Sequence, residues 1–260
     1  MLSRLAKWGS ALPFASLVAI GALGCAADQP ASSASAPSPL AAAPIRVLMV
    51  TATAGFRHDS IAAARQVMGN LPAASAELAV TATEDLSTIS TSGLRAYDVL
   101  MFALTTGELA LSGDQRAALL AFVAAGGGFV GIHSATDTLY EWPEYGQLVG
   151  AYFKEHPWTQ QGTVIVEDPA HPAMGGVADG FSVLEEFYTF RENPRPRLHV
   201  LLRLDAASVG STGDYPLAWV QSYGSGRAYY NALGHFAETW RDPRFQRQLA
   251  GAIRWVARRS

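Results

Sequence analysis

The chain of 260 residues is 49% hydrophobic and 16% charged, and its formal net charge is −3 at pH 7. This length and apolar content fit one large α/β domain, or one such domain with added segments. The positive side chains form no basic stripe and no basic run interleaved with aromatic residues. The composition therefore argues against nucleic acid as a partner.

Residues 1–24 have the features of an export signal. Arg4 and Lys7 provide a basic start, and residues 11–23 form an apolar segment. This segment is too short to span a bilayer comfortably as a mature helix. We therefore interpret residues 1–24 as a signal peptide that is absent from the mature protein.

The end of this signal resembles the cleavage site of a bacterial lipoprotein. Small Gly24 directly precedes Cys25, the only cysteine of the chain, although Ala22 stands where leucine is usual. The resemblance implies lipidation of Cys25 and attachment to a membrane through acyl chains. Ala26 after the cysteine resembles outer-membrane sorting, so in a Gram-negative cell the protein would face the periplasm. An ordinary secretory signal, cleaved near Ala26 or Ala27, is the alternative.

The sequence after the signal peptide predicts a linker and then a folded domain. Residues 26–44 are rich in alanine, serine and proline and contain almost no large apolar side chain. Such a segment cannot bury enough surface to fold. We predict a disordered tether over 25–44 and a folded domain over 45–257.

The first half of the domain alternates between predicted strands and helices. Strands are predicted at 45–51, 78–82, 97–104 and 129–132, and helices at about 60–70 and 113–125. This β-α-β alternation is typical of a mostly parallel sheet with helices on both of its faces. The fold class is thus expected to be α/β.

The second half is richer in strands. A polar, aromatic loop is predicted at 153–158, and a last helix at 243–257 follows Asp242. A tight turn at 223–226 joins the last two strands as a C-terminal hairpin. The predicted strands cover 163–167, 181–190, 198–204, 217–222 and 227–233, after a helix at 145–152.

The stretch over 126–138 is the centre of the functional prediction. Three glycines lead into a buried strand that stops at His133, and small residues follow at once. Ligands of parallel α/β sheets bind just past the carboxyl ends of the strands. Such a turn exposes its side chain at the mouth of the fold, as a nucleophile elbow does. The residue at this position is His133. Asp137 follows four residues later, close enough to share the pocket.

Other predicted strand ends carry further polar side chains. His58 follows the first strand, His235 follows the last one, and Glu186 lies on the strand over 181–190. Three imidazoles with one or two carboxylates suit a divalent metal such as zinc, manganese, iron or nickel. The same set without a metal suits acid–base chemistry near neutral pH. We predict His58, His133 and His235 as metal ligands, and His133, Asp137 and Glu186 as catalytic residues.

Each of these residues also has a structural interpretation. His133 can be a hydrogen-bonded histidine in a tight turn, and His58 can cap or pack the start of a helix. Asp137 can cap the turn after it, and His235 can simply end its strand. His156, in the predicted loop, is interpreted as structural rather than as a ligand.

Aromatic side chains near the predicted site suggest a carbohydrate ligand, because the C–H faces of sugar rings stack on aromatic rings. We predict Phe56, Trp158 and Tyr188 as substrate-binding residues, together with Arg57, which can hold sugar hydroxyl groups. Core packing is the alternative for any single aromatic residue.

Several motifs occur in order along the predicted domain. They are TAGFRH at 53–58, GIHSATDT at 131–138, EHP at 155–157, EEFY at 185–188, PLAW at 216–219 and YGSGR at 223–227. Together they resemble the ThuA-like family, named from trehalose utilisation. The resemblance implies the flavodoxin-type fold of class I glutamine amidotransferases and a role in sugar metabolism.

Glutamine amidotransferase activity is excluded by chemistry. Those enzymes carry a nucleophilic cysteine at the elbow after Gly-Ile, and here His133 follows Gly131 and Ile132. An imidazole cannot form the thioester on which glutamine hydrolysis depends. We instead expect an exported enzyme that isomerises, eliminates from or hydrolyses a sugar, keto-sugar or glycoside. A non-catalytic carbohydrate-binding module is the alternative.

Overall fold

The computed structural model describes residues 43–71 and 77–259. The predicted signal peptide and lipidation site lie outside the described residues, as does all of the predicted tether except residues 43 and 44. The strands of the described part are β1 (Ile45–Val50), β2 (Leu78–Thr83), β3 (Val99–Ala103), β4 (Gly128–Ile132), β5 (Phe153–Val166), β6 (Phe181–Phe190), β7 (His199–Leu204), β8 (Tyr215–Tyr223) and β9 (Gly226–Asn231).

These strands form one sheet in the order β2-β1-β3-β4-β9-β8-β7-β5-β6. The pairings among β2, β1, β3, β4 and β9 are all parallel. Every residue of β3 and of β4 is buried, which explains their continuous apolar sequences. Strands covered on both faces have no solvent side on which polar residues would alternate.

The prediction of a mostly parallel sheet is wrong in its second half. The pairings of β9 with β8, β8 with β7, β7 with β5 and β5 with β6 are all antiparallel. The sheet is therefore mixed, in an α/β fold. Parallel strands need long crossovers, usually helical, whereas antiparallel strands can follow one another through shorter loops, as they do here from β5 to β9. The predicted C-terminal hairpin is present as β8 and β9.

The loop predicted at 153–158 is instead the first part of the 14-residue strand β5. Its residues pair with β6 through an irregular register, with shifts between Phe153 and Glu155 and between Glu155 and Trp158. Most of its residues up to position 161 are exposed. An exposed strand lacks the alternation of apolar residues on which a strand prediction depends.

Helices pack on both faces of the sheet, as predicted. A Cβ atom added at Gly128 of β4 would meet Val256, and one at Gly131 would meet Val149. Positions three apart on a strand face opposite sides, so the helices that carry Val256 and Val149 lie on different faces. The helices are α1 (Ile61–Gly69), α2 (Thr91–Leu94), α3 (Gly113–Ala124), α4 (Pro143–Val149), α5 (Ala237–Arg241) and α6 (Pro243–Val256).

Local signals fix where two of these helices begin. Ser112 and Gln115 form a capping box at the start of α3, and Asp242 accepts a hydrogen bond from the Arg244 amide at the start of α6. These contacts satisfy amide groups that have no partner within the helix. Over residues 43–71 and 77–259, no helix is both long enough and apolar enough to cross a bilayer.

Candidate metal centre

The three histidines of the candidate site lie beyond the carboxyl ends of parallel strands. His58 comes after β1, His133 directly follows β4, and His235 follows β9. Because β1, β4 and β9 run in the same direction, their carboxyl ends meet at one edge of the sheet. The topology therefore gathers residues that are far apart in the sequence.

The structure brings His58, His133, Glu186 and His235 together. One ring nitrogen of each histidine and one carboxylate oxygen of Glu186 all lie within 4.8 Å of one another. The imidazole centroid of His58 is 4.8 Å from that of His133 and 5.2 Å from that of His235. His133 is fully buried, His58 and Glu186 are nearly so, and His235 is partly exposed.

The distances among His133, Glu186 and His235 fit three of the four ligand positions of a metal centre. His235 Nδ1 lies 3.1 Å from Glu186 Oε2 and 3.4 Å from His133 Nε2, and His133 Nε2 lies 3.5 Å from Glu186 Oε2. Four ligands at about 2.0–2.1 Å from a tetrahedral zinc ion are separated by about 3.3–3.4 Å. Nitrogen and carboxylate donors at this spacing suit zinc and its neighbours in the first transition row.

The backbone holds His133 in a conformation that turns its free nitrogen toward the group. Its φ angle of 52° lies in the left-handed region, which side chains other than glycine seldom adopt. His133 Nδ1 lies 2.7 Å from the carbonyl oxygen of Ala232. Because a carbonyl can only accept, Nδ1 carries the proton and the lone pair is on Nε2, which faces Glu186 and His235. Metal-ligating histidines are commonly oriented by such a bond.

Burial and mutual charge set the protonation of the group. Burial, together with the nearby His133 and His235, lowers the pKa of His58 to about 3, so this imidazole is neutral at pH 7. Burial alone would raise the pKa of Glu186, but the adjacent imidazoles of His133 and His235 hold that pKa well below its usual range. Burial opposes protonation of His235, yet its hydrogen bond to Glu186 leaves its pKa raised.

Asp137 lies beside the group rather than in it. Its Oδ1 accepts a hydrogen bond of 2.7 Å from Tyr140 Oη. Burial raises the pKa of Asp137, although the bond from Tyr140 opposes the shift. It is not among the four residues whose ligand atoms converge.

The predicted substrate-binding residues divide into two pairs. The ring of Phe56 stands edge-on to His58 at a centroid distance of 4.8 Å, and Tyr188 lies over His133 at 4.3 Å. Arg57 instead forms two hydrogen bonds with Glu84, and Trp158 packs edge-on against Tyr215 at 5.0 Å. Phe56 and Tyr188 thus touch the histidine group, whereas Arg57 and Trp158 have other partners.

Two further residues contact the site. His156 Nδ1 lies 3.3 Å from Glu186 Oε1, although the sequence favoured a structural interpretation of His156. Glu185 is completely buried and accepts hydrogen bonds from the backbone amides of Gly234 and His235. Adjacent strand residues normally face opposite sides, so the sequence favoured only Glu186 of the acidic pair. The sequence feature that could have identified Glu185 was the presence of two adjacent acids on a strand with buried neighbours.

Comparison with known proteins agrees with this architecture. The family model described as "ThuA: Trehalose utilisation" matches residues 46–256. No curated protein matches the sequence. A protein described as ThuA-like from Bacteroides uniformis ATCC 8492 is 24% identical, with a TM-score of 0.70 over 85% of this chain and 95% of that one.

Two other solved structures share the fold. A protein described as ThuA-like from Parabacteroides merdae ATCC 43184 is 19% identical, with a TM-score of 0.67 over 82% of this chain and 90% of that one. The β-galactosidase from Rahnella sp. R3 is 16% identical, with a TM-score of 0.55 over 84% of this chain but only 32% of that one. Because the family model covers most of the chain, the protein belongs to the ThuA, or trehalose utilisation, family.

Proposed function

We propose that the protein is a metal-dependent enzyme that acts on a sugar, keto-sugar or glycoside. The observation that carries this proposal is the convergence of ligand atoms from His58, His133, Glu186 and His235 within 4.8 Å. The family description, trehalose utilisation, supports a carbohydrate as substrate.

Three of the four residues contribute in different ways in this proposal. His58 is neutral at pH 7 and offers a lone pair, while His133 is oriented by its bond to Ala232. Glu186 supplies a negative charge that partly compensates a cation. A bound divalent ion would supply polarisation of a carbonyl or hydroxyl oxygen of the substrate.

Other side chains of the site bind the substrate and move protons. Phe56 is 65% exposed and lies against His58, so its ring is free to stack on the C–H face of a sugar. Asp137 has a pKa raised by burial, which brings this carboxyl closer to the range in which an acid or base works efficiently. Proton transfer at a carbon next to a carbonyl, or at a glycosidic oxygen, is the step that this arrangement suits.

The proposal is tested by metal analysis combined with a turnover screen. The purified protein is analysed for bound metals and then incubated with a panel of sugars, keto-sugars and glycosides, with product detection by mass spectrometry. We expect about one divalent ion per chain and turnover that a chelator abolishes and the same metal restores. His235→Ala should lose both the metal and the activity.

His199→Ala is the matched control, because His199 is an exposed histidine that pairs with Asp168 rather than with the cluster. It should keep the metal content and the turnover of the unaltered chain. Turnover that persists in a metal-free protein would contradict metal dependence and favour acid–base chemistry by the histidines. Sugar binding without turnover would instead favour a carbohydrate-binding module.

We also propose that the protein is exported and lipidated on Cys25. The supporting observations are the basic start, the short apolar segment and the Gly24-Cys25 junction of the sequence. In a Gram-negative host, the chain should incorporate radiolabelled palmitate and sediment with outer membranes, and Cys25→Ser should abolish the label. Processing of the unaltered chain without any label would favour an ordinary secretory signal.

A further inference from the structure

Glu185 is a buried acid that the proposed ligand set does not use. Its side chain has no exposed surface, and it is not one of the four residues whose ligand atoms converge. It precedes Glu186 on β6. A buried charge is costly unless its oxygens receive hydrogen bonds, so the partners of Glu185 indicate what it does.

Four donors surround this carboxyl group. Oε2 accepts from the Gly234 amide at 2.9 Å and from Thr239 Oγ1 at 2.7 Å. Oε1 accepts from the His235 amide at 2.9 Å and from the Glu186 amide at 3.1 Å. All four partners donate, so the group acts purely as an acceptor, as an ionised carboxylate does.

These bonds connect the segments that carry the proposed ligands. The amides of Glu186 and His235 both belong to residues of the ligand group, and Glu185 binds both of them. Gly234, which precedes His235, has a φ angle of 127°, in the region that favours glycine. Its carbonyl accepts hydrogen bonds from Ser60 Oγ at 3.2 Å and from Trp240 Nε1 at 2.8 Å. Ser60 is two residues from His58, so the same network reaches a third ligand.

We infer that Glu185 is a positioning residue that holds Glu186 and His235 at ligand spacing. The inference rests on the proposed metal centre. Glu185 acts through the backbone of its neighbours and does not touch the ion.

A conservative substitution separates this role from simple packing. Glutamine has nearly the shape of glutamate but only one acceptor oxygen, and its amide nitrogen would face the backbone amides that now donate. Glu185→Gln therefore replaces one acceptor with a donor and disturbs either the bond to Gly234 or the bonds to His235 and Glu186, depending on which oxygen is replaced. Thr239→Val removes a single donor, whereas Thr239→Ser keeps the hydroxyl group.

The experiment is a titration of the full chain with Co²⁺, followed by the visible absorption of the bound ion. We expect Glu185→Gln to weaken Co²⁺ binding by about 10–100-fold, the usual effect of removing a group that orients metal ligands. Thr239→Val should weaken binding by a smaller factor, and Thr239→Ser should restore it. The absorption spectrum of each saturated variant should match that of the unaltered chain, because the ligands are the same.

The control is Leu119→Ala, which truncates a fully buried side chain of α3, an element that carries none of the ligand residues. It should lower the thermal midpoint without changing the Kd for Co²⁺. If the unaltered chain binds Co²⁺ and Glu185→Gln binds it equally well, the positioning role is wrong and the metal centre stands. If Glu185→Gln does not fold, unchanged affinity in Thr239→Val has the same meaning. An unaltered chain that binds no Co²⁺ overturns both proposals.

Discussion

At the scale of single residues, the candidate site depends on the backbone and ring orientation of His133. Its φ angle of 52° turns the side chain into the site, and the bond from Nδ1 to Ala232 leaves Nε2 free. A non-glycine residue in a sparsely populated backbone region costs on the order of 1–3 kcal/mol and persists where the surrounding structure enforces it. Here the Tyr230 hydroxyl, which donates to the carbonyl of His133 at 2.7 Å, helps to hold that conformation.

This strain gives a prediction about stability. Glycine adopts positive φ angles without steric cost, whereas alanine does not. We therefore expect His133→Gly to be more stable than His133→Ala by about 1 kcal/mol in urea unfolding. At Val130, within β4, the order should be reversed, because an extended strand disfavours glycine. Equal stability of the two His133 variants would mean that the left-handed conformation stores no strain.

Phe56 gives a second prediction at the same scale. Its ring is 65% exposed, so Phe56→Ala should change the free energy of unfolding by no more than about 0.5 kcal/mol. The same change should raise the KM for the sugar identified by the turnover screen more than it lowers kcat, because the ring would contribute binding rather than chemistry. An unchanged KM would remove Phe56 from the substrate site.

At the scale of elements, the last helix shows how the start of an element is fixed. The Asp242 carboxylate accepts from the amide of Arg244 at 2.7 Å and from its guanidinium. Pro243 occupies the first turn of α6, where a missing amide hydrogen costs nothing. The same signals were readable in the sequence, and the predicted helix over 243–257 is confirmed as Pro243–Val256.

We expect Asp242→Ala to lower the free energy of unfolding by about 1 kcal/mol, the usual effect of losing a helix cap. Asp242→Asn keeps a capping oxygen and should cost less. The measurement is urea unfolding at pH 7 followed by circular dichroism. A loss in Asp242→Asn equal to that in Asp242→Ala would assign the effect to the charge pair with Arg244 rather than to the cap.

The same cap predicts a dependence of stability on pH. Burial alone would raise the pKa of Asp242, but the hydrogen bonds from Arg244 leave it below the usual value. The unfolded chain therefore binds the proton more readily, and stability rises with pH. The contribution of Asp242 is fully present above the ordinary aspartate pKa of about 3.9 and is lost as the pH falls through the folded value. Unfolding measured from pH 5 to pH 2 should show this loss in the unaltered chain and less of it in Asp242→Ala.

At the scale of the whole molecule, β4 lies near the middle of the sheet, between β3 and β9, and all of its residues are buried. The Phe129 ring lies 5.7 Å from that of Phe102 and 6.1 Å from that of Tyr145, measured between centroids. β6 is the strand at one edge, and its Leu184 is 52% exposed. Phe129 and Leu184 are both apolar, but the first is fully buried and the second is largely exposed.

We expect Phe129→Ala to lower the free energy of unfolding by about 3–5 kcal/mol, as large-to-small changes in a core do. Leu184→Ala should change it by less than about 0.5 kcal/mol. Chemical denaturation of both variants under identical conditions measures the difference. A large loss in Leu184→Ala would indicate that this side chain is covered in solution, for example by a second copy of the chain.

Much of the first half of the fold could be read from the sequence. The apolar runs of β1, β3 and β4 and the caps of α3 are local signals, and they placed those elements within two residues of their observed bounds. Apart from the β8–β9 hairpin, the direction of the later strands was not predicted, because it depends on which strands pair across the sheet and the sequence of one strand does not identify its partner. The exposed start of β5 was missed because its polar residues show no apolar alternation.

The sequence by itself determined most of the element types, the family resemblance and the positions of histidines just after strands. Tertiary structure alone decided which of those side chains meet. The carboxyl ends of β1, β4 and β9 share one edge because these strands all run parallel within the order β1-β3-β4-β9, and this brings His58, His133 and His235 together. Strand β6, in the antiparallel half of the sheet, contributes Glu186 to this group, and Glu185 of the same strand accepts a hydrogen bond from the His235 amide. Such long-range pairing depends on the packing of the whole sheet, which no local sequence pattern encodes.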